Sequence, residues 1–133
     1  MSQMCMTRHD PPSSYGDCVR ACVATLLGLD TRDVEHFTRD GCNGDTMIQR
    51  MREWLAPCGL VPFIVSLDAT ETPTHESVLQ VMQTENPDVP YILLTAGHAV
   101  VCRNGTVEHD PAWVRTPLEA PSDAWHIVVM VRL

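Results

Sequence analysis

The chain of 133 residues contains no lysine: all nine of its basic residues are arginines. Schiff-base chemistry and a phosphate-loop lysine are therefore excluded. Seventeen acidic residues leave a formal net charge of -8. A chain this acidic has no basic stripe to follow a phosphate backbone, which speaks against nucleic acid as a partner. No apolar run approaches the roughly 20 residues that span a bilayer, so no membrane partner is expected. The opening "MSQMCMTRHDPPSS" lacks the apolar core of a signal peptide. A cytoplasmic setting is the expectation, and there thiols stay reduced. No internal repeat or low-complexity segment is present, and no CxxC pair occurs among Cys5, Cys18, Cys22, Cys42, Cys58 and Cys102.

What is present suits one folded unit. With 44% hydrophobic residues, the chain suffices for one domain with a single core and is too short for two comfortable domains, so residues 1–133 read as one domain. From Cys18 the apolar positions Val19, Cys22, Val23, Leu26 and Leu27 form a helical stripe that Gly28 stops. Ser14 or Asp17 can cap this helix, and together they match the S-x-x-D capping-box pattern. A short helix is expected over Asp30–Phe37, capped by Asp30 or Thr31, followed by a loop over Thr38–Asp45. Thr46–Ala56 is amphipathic and ends at Pro57 and Gly59. "LVPFIVSL" (Leu60–Leu67) reads as a strand whose Pro62 favours its start or an exposed edge. A further helix fits His75–Thr84. From Pro90 onward the pattern is strands: "YILLTA", "HAVVCR", "TVEHD" and "WHIVVMVRL". The class is α+β, with N-terminal helices packed on a C-terminal antiparallel sheet.

The helix that opens on a thiol raises a chemical question. Unpaired N–H groups and the helix dipole favour an anion at Cys18, whereas Cys22, one turn further in, lacks that advantage. Cys18 is thus the candidate nucleophile and Cys22 a core residue, although a helix-opening cysteine is in many proteins only a small buried side chain. A nucleophilic cysteine needs a base and a group to orient that base. "GHAVVCRNGTVEHDP" (Gly97–Pro111) offers both, as a histidine beginning one hairpin strand and an acid ending the other. A two-residue loop at Asn104-Gly105 would pair Arg103 with Thr106 and put His98 on the face opposite Asp110, with His109 as its neighbour. A three-residue loop would pair Cys102 with Thr106 and set His98 directly against Asp110, Cβ atoms about 4.5–5.5 Å apart. Zinc is the chemical rival: Cys18 and Cys22 share a helix face, and His9, His36, Cys5 or Cys42 could complete four ligands, but no familiar finger spacing appears. Trp54, Trp113 and Trp125 read as packing anchors, with Trp113 alternatively lining a cleft.

"GDCVRACVATLLGLDTRDVEHF" (Gly16–Phe37) resembles the nucleophile helix of small papain-like cysteine peptidases, near the bacteriocin-leader-processing peptidases. "GHAVVCRNGTVEHDP" resembles their histidine strand and the Asp-Pro that follows, and both segments are similar to bacterial and phage proteins with the same pattern. The resemblance implies a papain-like fold in which the Cys18 helix packs on the sheet carrying His98 and Asp110. It implies a Cys18–His98–Asp110 hydrolase of peptide, isopeptide or related amide bonds, with a peptide or protein substrate and neither cofactor nor metal. It departs from the family in one place: the glutamine about six residues before the cysteine, an oxyanion donor, is here Pro12. The backbone N–H of Cys18 remains a donor, with Ser13, Ser14 or a folded-back Gln3 as candidates for the second. The other reading is a catalytically weak or inactive papain-like module that binds a protein partner, such as a phage-encoded inhibitor.

Overall fold

Alternation along two strands sets the layering. In β2 (Tyr91–Thr95) and β3 (His98–Arg103), successive side chains leave opposite faces, and both faces are apolar. Ile92, Ala99 and Val101 join one core; Tyr91, Leu93, Val100 and Cys102 join a second. A sheet buried on both sides needs covering on both sides. The computed structural model, which describes residues 2–95, 97–113, 118, 121 and 123–133, provides this with three α-helices around one five-stranded sheet. The remaining strands are β1 (Leu60–Asp68), β4 (Thr106–His109) and β5 (Ala124–Arg132). The strand order is β1-β5-β2-β3-β4, with every pairing antiparallel.

Helices α1 (Cys18–Leu27) and α2 (Gly44–Leu55) cover one face, where Cys22, Val23, Met47, Met51 and Leu55 meet Ile92, Ala99 and Val128. Met47, Met51 and Leu55 recur every fourth residue, which keeps them on one side of α2. Helix α3 (His75–Glu85) covers the other face through Val78, Leu79 and Met82, and Thr74 with Ser77 closes a reciprocal capping box at its start. The expected α+β class with an antiparallel sheet is thus the observed one. The order of β1 before α3 is also the expected one, and α3 lies on the face opposite α1 and α2.

Local differences have local causes. The helix expected over Asp30–Phe37 is only a 3-10 turn, Thr31–Asp33, capped by the Asp30 side chain on the Arg32 N–H. Its chain then leaves in an extended conformation at Val34, which is buried in the core with Phe37. Helix α2 starts two residues earlier than expected because the Asn43 side chain accepts the Thr46 N–H. Gly28 ends α1 in the left-handed conformation, φ 70°. Pro62 lies in the edge strand β1, where its missing donor disrupts no inner ladder. Ala96, the last residue of the expected "YILLTA" strand, lies outside the described residues.

Leu55→Ala, at a wholly buried site, is expected to lower the unfolding free energy by about 2–5 kcal/mol. Phe63→Ala, 59% exposed on the edge strand, is expected to cost under ~1 kcal/mol. Urea denaturation of the two variants measures the contrast.

Candidate active site

Asp17 sits at the N-cap of α1, yet its side chain does not cap the helix. The buried carboxylate accepts instead the Met6 N–H (3.0 and 3.1 Å to its two oxygens) and the Thr7 N–H (3.0 Å), with Arg20 beside it at 3.5 Å. The capping box expected from Ser14 and Asp17 therefore does not form. Asp17 pins the N-terminal arm across the start of α1. Two further bonds fix the arm one residue earlier: the Cys5 N–H donates to Pro111 O at 2.9 Å, and the Trp113 indole donates to Cys5 O at 2.7 Å. Held from both sides, the Cys5 thiol donates to Cys18 Sγ at 3.2 Å.

That contact decides which sulfur is ionised. S–H donation from Cys5 is the largest influence on Cys18, and with the His98 imidazole it brings the Cys18 thiol down to about 5 against the opposing effects of burial and the Asp17 charge. Cys5 moves the other way, because it donates to Cys18, is buried, and feels the negative charge of Asp17. Cys22, wholly buried in the core, is also pushed up by desolvation. None of the six cysteines is in a disulfide.

His98 and Asp110 meet by a route that neither expected hairpin register describes. The loop is the two-residue one: Asn104 and Gly105 both have positive φ, 54° and 73°, and Arg103 pairs with Thr106. One pair further on, the ladder slips, so that Cys102 faces Val107 but Val101 faces His109. This bulge at Glu108 brings Asp110 to the side of the hairpin that carries His98. His98 Nε2 then lies 2.9 Å from Asp110 Oδ1, and Asp110 Oδ1 also accepts the Ala112 N–H at 3.0 Å. His109, the neighbour expected for His98 under a two-residue loop, turns away and hydrogen-bonds Gln3 O. With Nε2 engaged by Asp110, Nδ1 is the ring nitrogen left for Cys18. The Cys18 thiolate, followed by Asp110, holds the His98 pKa above its ordinary value against the cost of burial.

The structure thus brings Cys18, His98 and Asp110 together and leaves the other expected groups apart. Both donors of Ser14 are committed, its N–H to Asp10 O (3.0 Å) and its hydroxyl to Arg8 O (2.6 Å). Gln3 is anchored near the far end of α1: its N–H donates to Thr25 Oγ1 and its amide oxygen accepts the Thr31 N–H. Ser14 has no free donor to offer an oxyanion, and the Gln3 side chain is held at Thr31, near the far end of α1 and away from Cys18. The Cys18 N–H has no acceptor among the described residues. The zinc alternative fares no better, because His36 bonds Tyr15 O and Cys42 bonds Phe37 O. Among the described residues no three His, Cys, Asp or Glu side chains converge as metal donors.

A cleft of about 1200 Å³ opens over Cys18 and His98, walled by Met6, Val19, Met47, Leu94 and Trp113. Trp113 is 76% exposed. His9 also lines the cleft, and its Nδ1 accepts the Gly16 N–H at 3.1 Å. A backbone N–H can only donate, so Nδ1 carries no proton and the neutral ring presents Nε2–H. Nothing in the sequence marks Asp17 as an arm anchor or Cys5 as a thiol donor, and His9 stands out there only as a candidate ligand. No helix among the described residues is long and apolar enough to cross a membrane.

Cys5→Ala is expected to move the pH midpoint of Cys18 alkylation upward from about 5, towards the ~8.5 of an ordinary thiol. Iodoacetamide labelling rates across pH, with the labelled residue located by mass spectrometry, give the shift. Comparison of the chain with family models, with curated proteins and with solved structures finds no match, so the chemistry of this site is read from its own geometry.

Proposed function

We propose that the protein is a papain-like cysteine hydrolase of peptide, isopeptide or related amide bonds. One observation carries this reading: Cys18, its thiol drawn down to about 5, lines an open cleft together with a His98 ring that Asp110 holds at 2.9 Å. Cys18 Sγ attacks the acyl carbon, and the oxyanion is met by the Cys18 N–H at the helix start. With Ser14 and Gln3 committed elsewhere, the second donor in this reading is His9 Nε2–H. The His98 imidazolium gives its proton to the leaving amine, and the thioester remains on Cys18. Water, deprotonated by His98, then releases the carboxylic acid. Asp110 keeps the ring oriented and favours its charged form. The apolar walls suit a substrate with an apolar side chain near the scissile bond. A free thiolate suits the reducing cytoplasm, and the charge of -8 disfavours nucleic acid as the substrate.

The second reading, a binding module for a protein partner, is favoured by one observation: neither Ser14 nor Gln3 is available as an oxyanion donor. The two separate cleanly by experiment. In a screen of fluorogenic peptide and isopeptide substrates, the hydrolase turns over and Cys18→Ala and His98→Ala do not. Its kcat/KM rises as pH passes about 5, where Cys18 ionises, and falls again once pH exceeds the raised pKa of His98 and the leaving group loses its acid. No turnover, with slow and equal labelling of all accessible cysteines, leaves the binding module. His9→Ala is expected to lower kcat by roughly 10²–10³ while leaving Cys18 alkylation unchanged. An unaltered kcat removes His9 from the oxyanion site.

A further inference from the structure

Two thiols 3.2 Å apart, one ionised and one protonated, are the arrangement from which a disulfide forms. Hydrolysis uses only the hydrogen bond of this pair, which a hydroxyl or a backbone N–H would supply as well. Four hydrogen bonds nevertheless hold the arm and Cys5 there: three donated by the arm, two to Asp17 and one to Pro111 O, and one donated to Cys5 O by the Trp113 indole. Access is unequal. Both residues line the cleft, but Cys18 is half-buried whereas Cys5 is only 7% exposed, so a small oxidant meets Cys18 first.

We propose that Cys18 is a site of reversible oxidation by hydroperoxides, with Cys5 as the thiol that resolves the oxidised form into a Cys5–Cys18 disulfide. In the first step Cys18 Sγ attacks the terminal oxygen of the hydroperoxide. The O–O bond breaks, a sulfenic acid forms on Cys18, and the departing alkoxide takes the proton of His98 to leave as an alcohol. In the second step Cys5 Sγ attacks the Cys18 sulfur. The S–S bond forms, the S–O bond breaks, and hydroxide departs with the Cys5 proton as water. Two thiols are oxidised and one hydroperoxide is reduced. Bonding at ~2.05 Å needs the sulfurs to close by only roughly an ångström. The disulfide removes the nucleophile from service and shields it from the irreversible sulfinic and sulfonic acids. Of the other thiols, Cys22 and Cys102 are buried in the cores, and Cys42 and Cys58 bond only backbone oxygens.

The test treats the intact protein with hydrogen peroxide and maps its peptides by mass spectrometry. The expected product has lost the mass of two hydrogens, carries a Cys5–Cys18 cross-linked peptide, and regains full Cys18 alkylation after dithiothreitol. Cys5→Ala is expected instead to accumulate two or three added oxygens on Cys18, with no recovery on reduction. Cys5→Ser, which keeps a donor but cannot form the bond, is expected to behave the same way and serves if the alanine variant does not fold. Direct over-oxidation of wild-type Cys18, a disulfide joining any other pair, or no reaction at Cys18 overturns the proposal. Peptide hydrolysis is not a readout. A protein that forms the disulfide but cleaves nothing sinks the hydrolase reading and leaves this one standing.

Discussion

A buried carboxylate that cannot leave water without partners organises the site. Asp17 has no exposed surface, and a lone buried charge costs several kcal/mol. It is satisfied by two backbone N–H groups of the arm and by nearby Arg20. Hydrogen bonds to a charged acceptor are worth about 1.5–3 kcal/mol each, so the pair at Met6 and Thr7 is strong enough to fix an otherwise irregular segment. The site bears a cost for this anchor: the Asp17 charge opposes ionisation of the adjacent Cys18. The Cys5 thiol delivered by the anchored arm outweighs it, being the largest influence on Cys18 while Asp17 is the smallest. The anion at Cys18 is therefore a product of the arm as much as of the helix start.

The second constraint is a single extra residue. A two-residue turn with two left-handed positions is the tightest way to close the β3–β4 hairpin, and Asn104-Gly105 is the sequence best suited to it. Without correction that turn would put Asp110 on the wrong side of the ladder. The bulge at Glu108 restores the side at the cost of one ladder position, near an edge where little pairing is lost. Turn chemistry and site geometry thus make opposing demands on register, and the bulge meets both.

These two features also mark where the sequence stops being legible. Helix α1, its stop at Gly28, α3, the edge position of Pro62 and the place of the hairpin turn all follow from signals within a few residues of each other. The meeting of His98 with Asp110 was expected, but by a different register, because a bulge leaves no mark that a residue count can read. The short 3-10 turn at Thr31–Asp33 replaced a helix because Val34 and Phe37 are drawn into the core, a tertiary effect that local propensity does not contain. The role of Cys5 as a thiol donor was invisible for a related reason. Its partners Cys18, Pro111 and Trp113 lie up to 108 positions away, and nothing in "MSQMCMTRHDPPSS" announces them.

Acidity at Cys18 has two consequences that pull against each other. A thiolate held beside an imidazolium is a good nucleophile towards acyl carbon, and by the same token towards peroxide oxygen. Any site that gains the first reactivity acquires the second, and the second ends in permanent loss unless something intercepts the sulfenic acid. A hydroxyl donor in place of Cys5 would stabilise the anion and leave that exposure untouched. A thiol donor does both, since the group that donates the hydrogen bond is also the group that can close the disulfide. The choice of sulfur at position 5 is therefore explained by oxidation chemistry, where hydrogen bonding alone would leave it arbitrary.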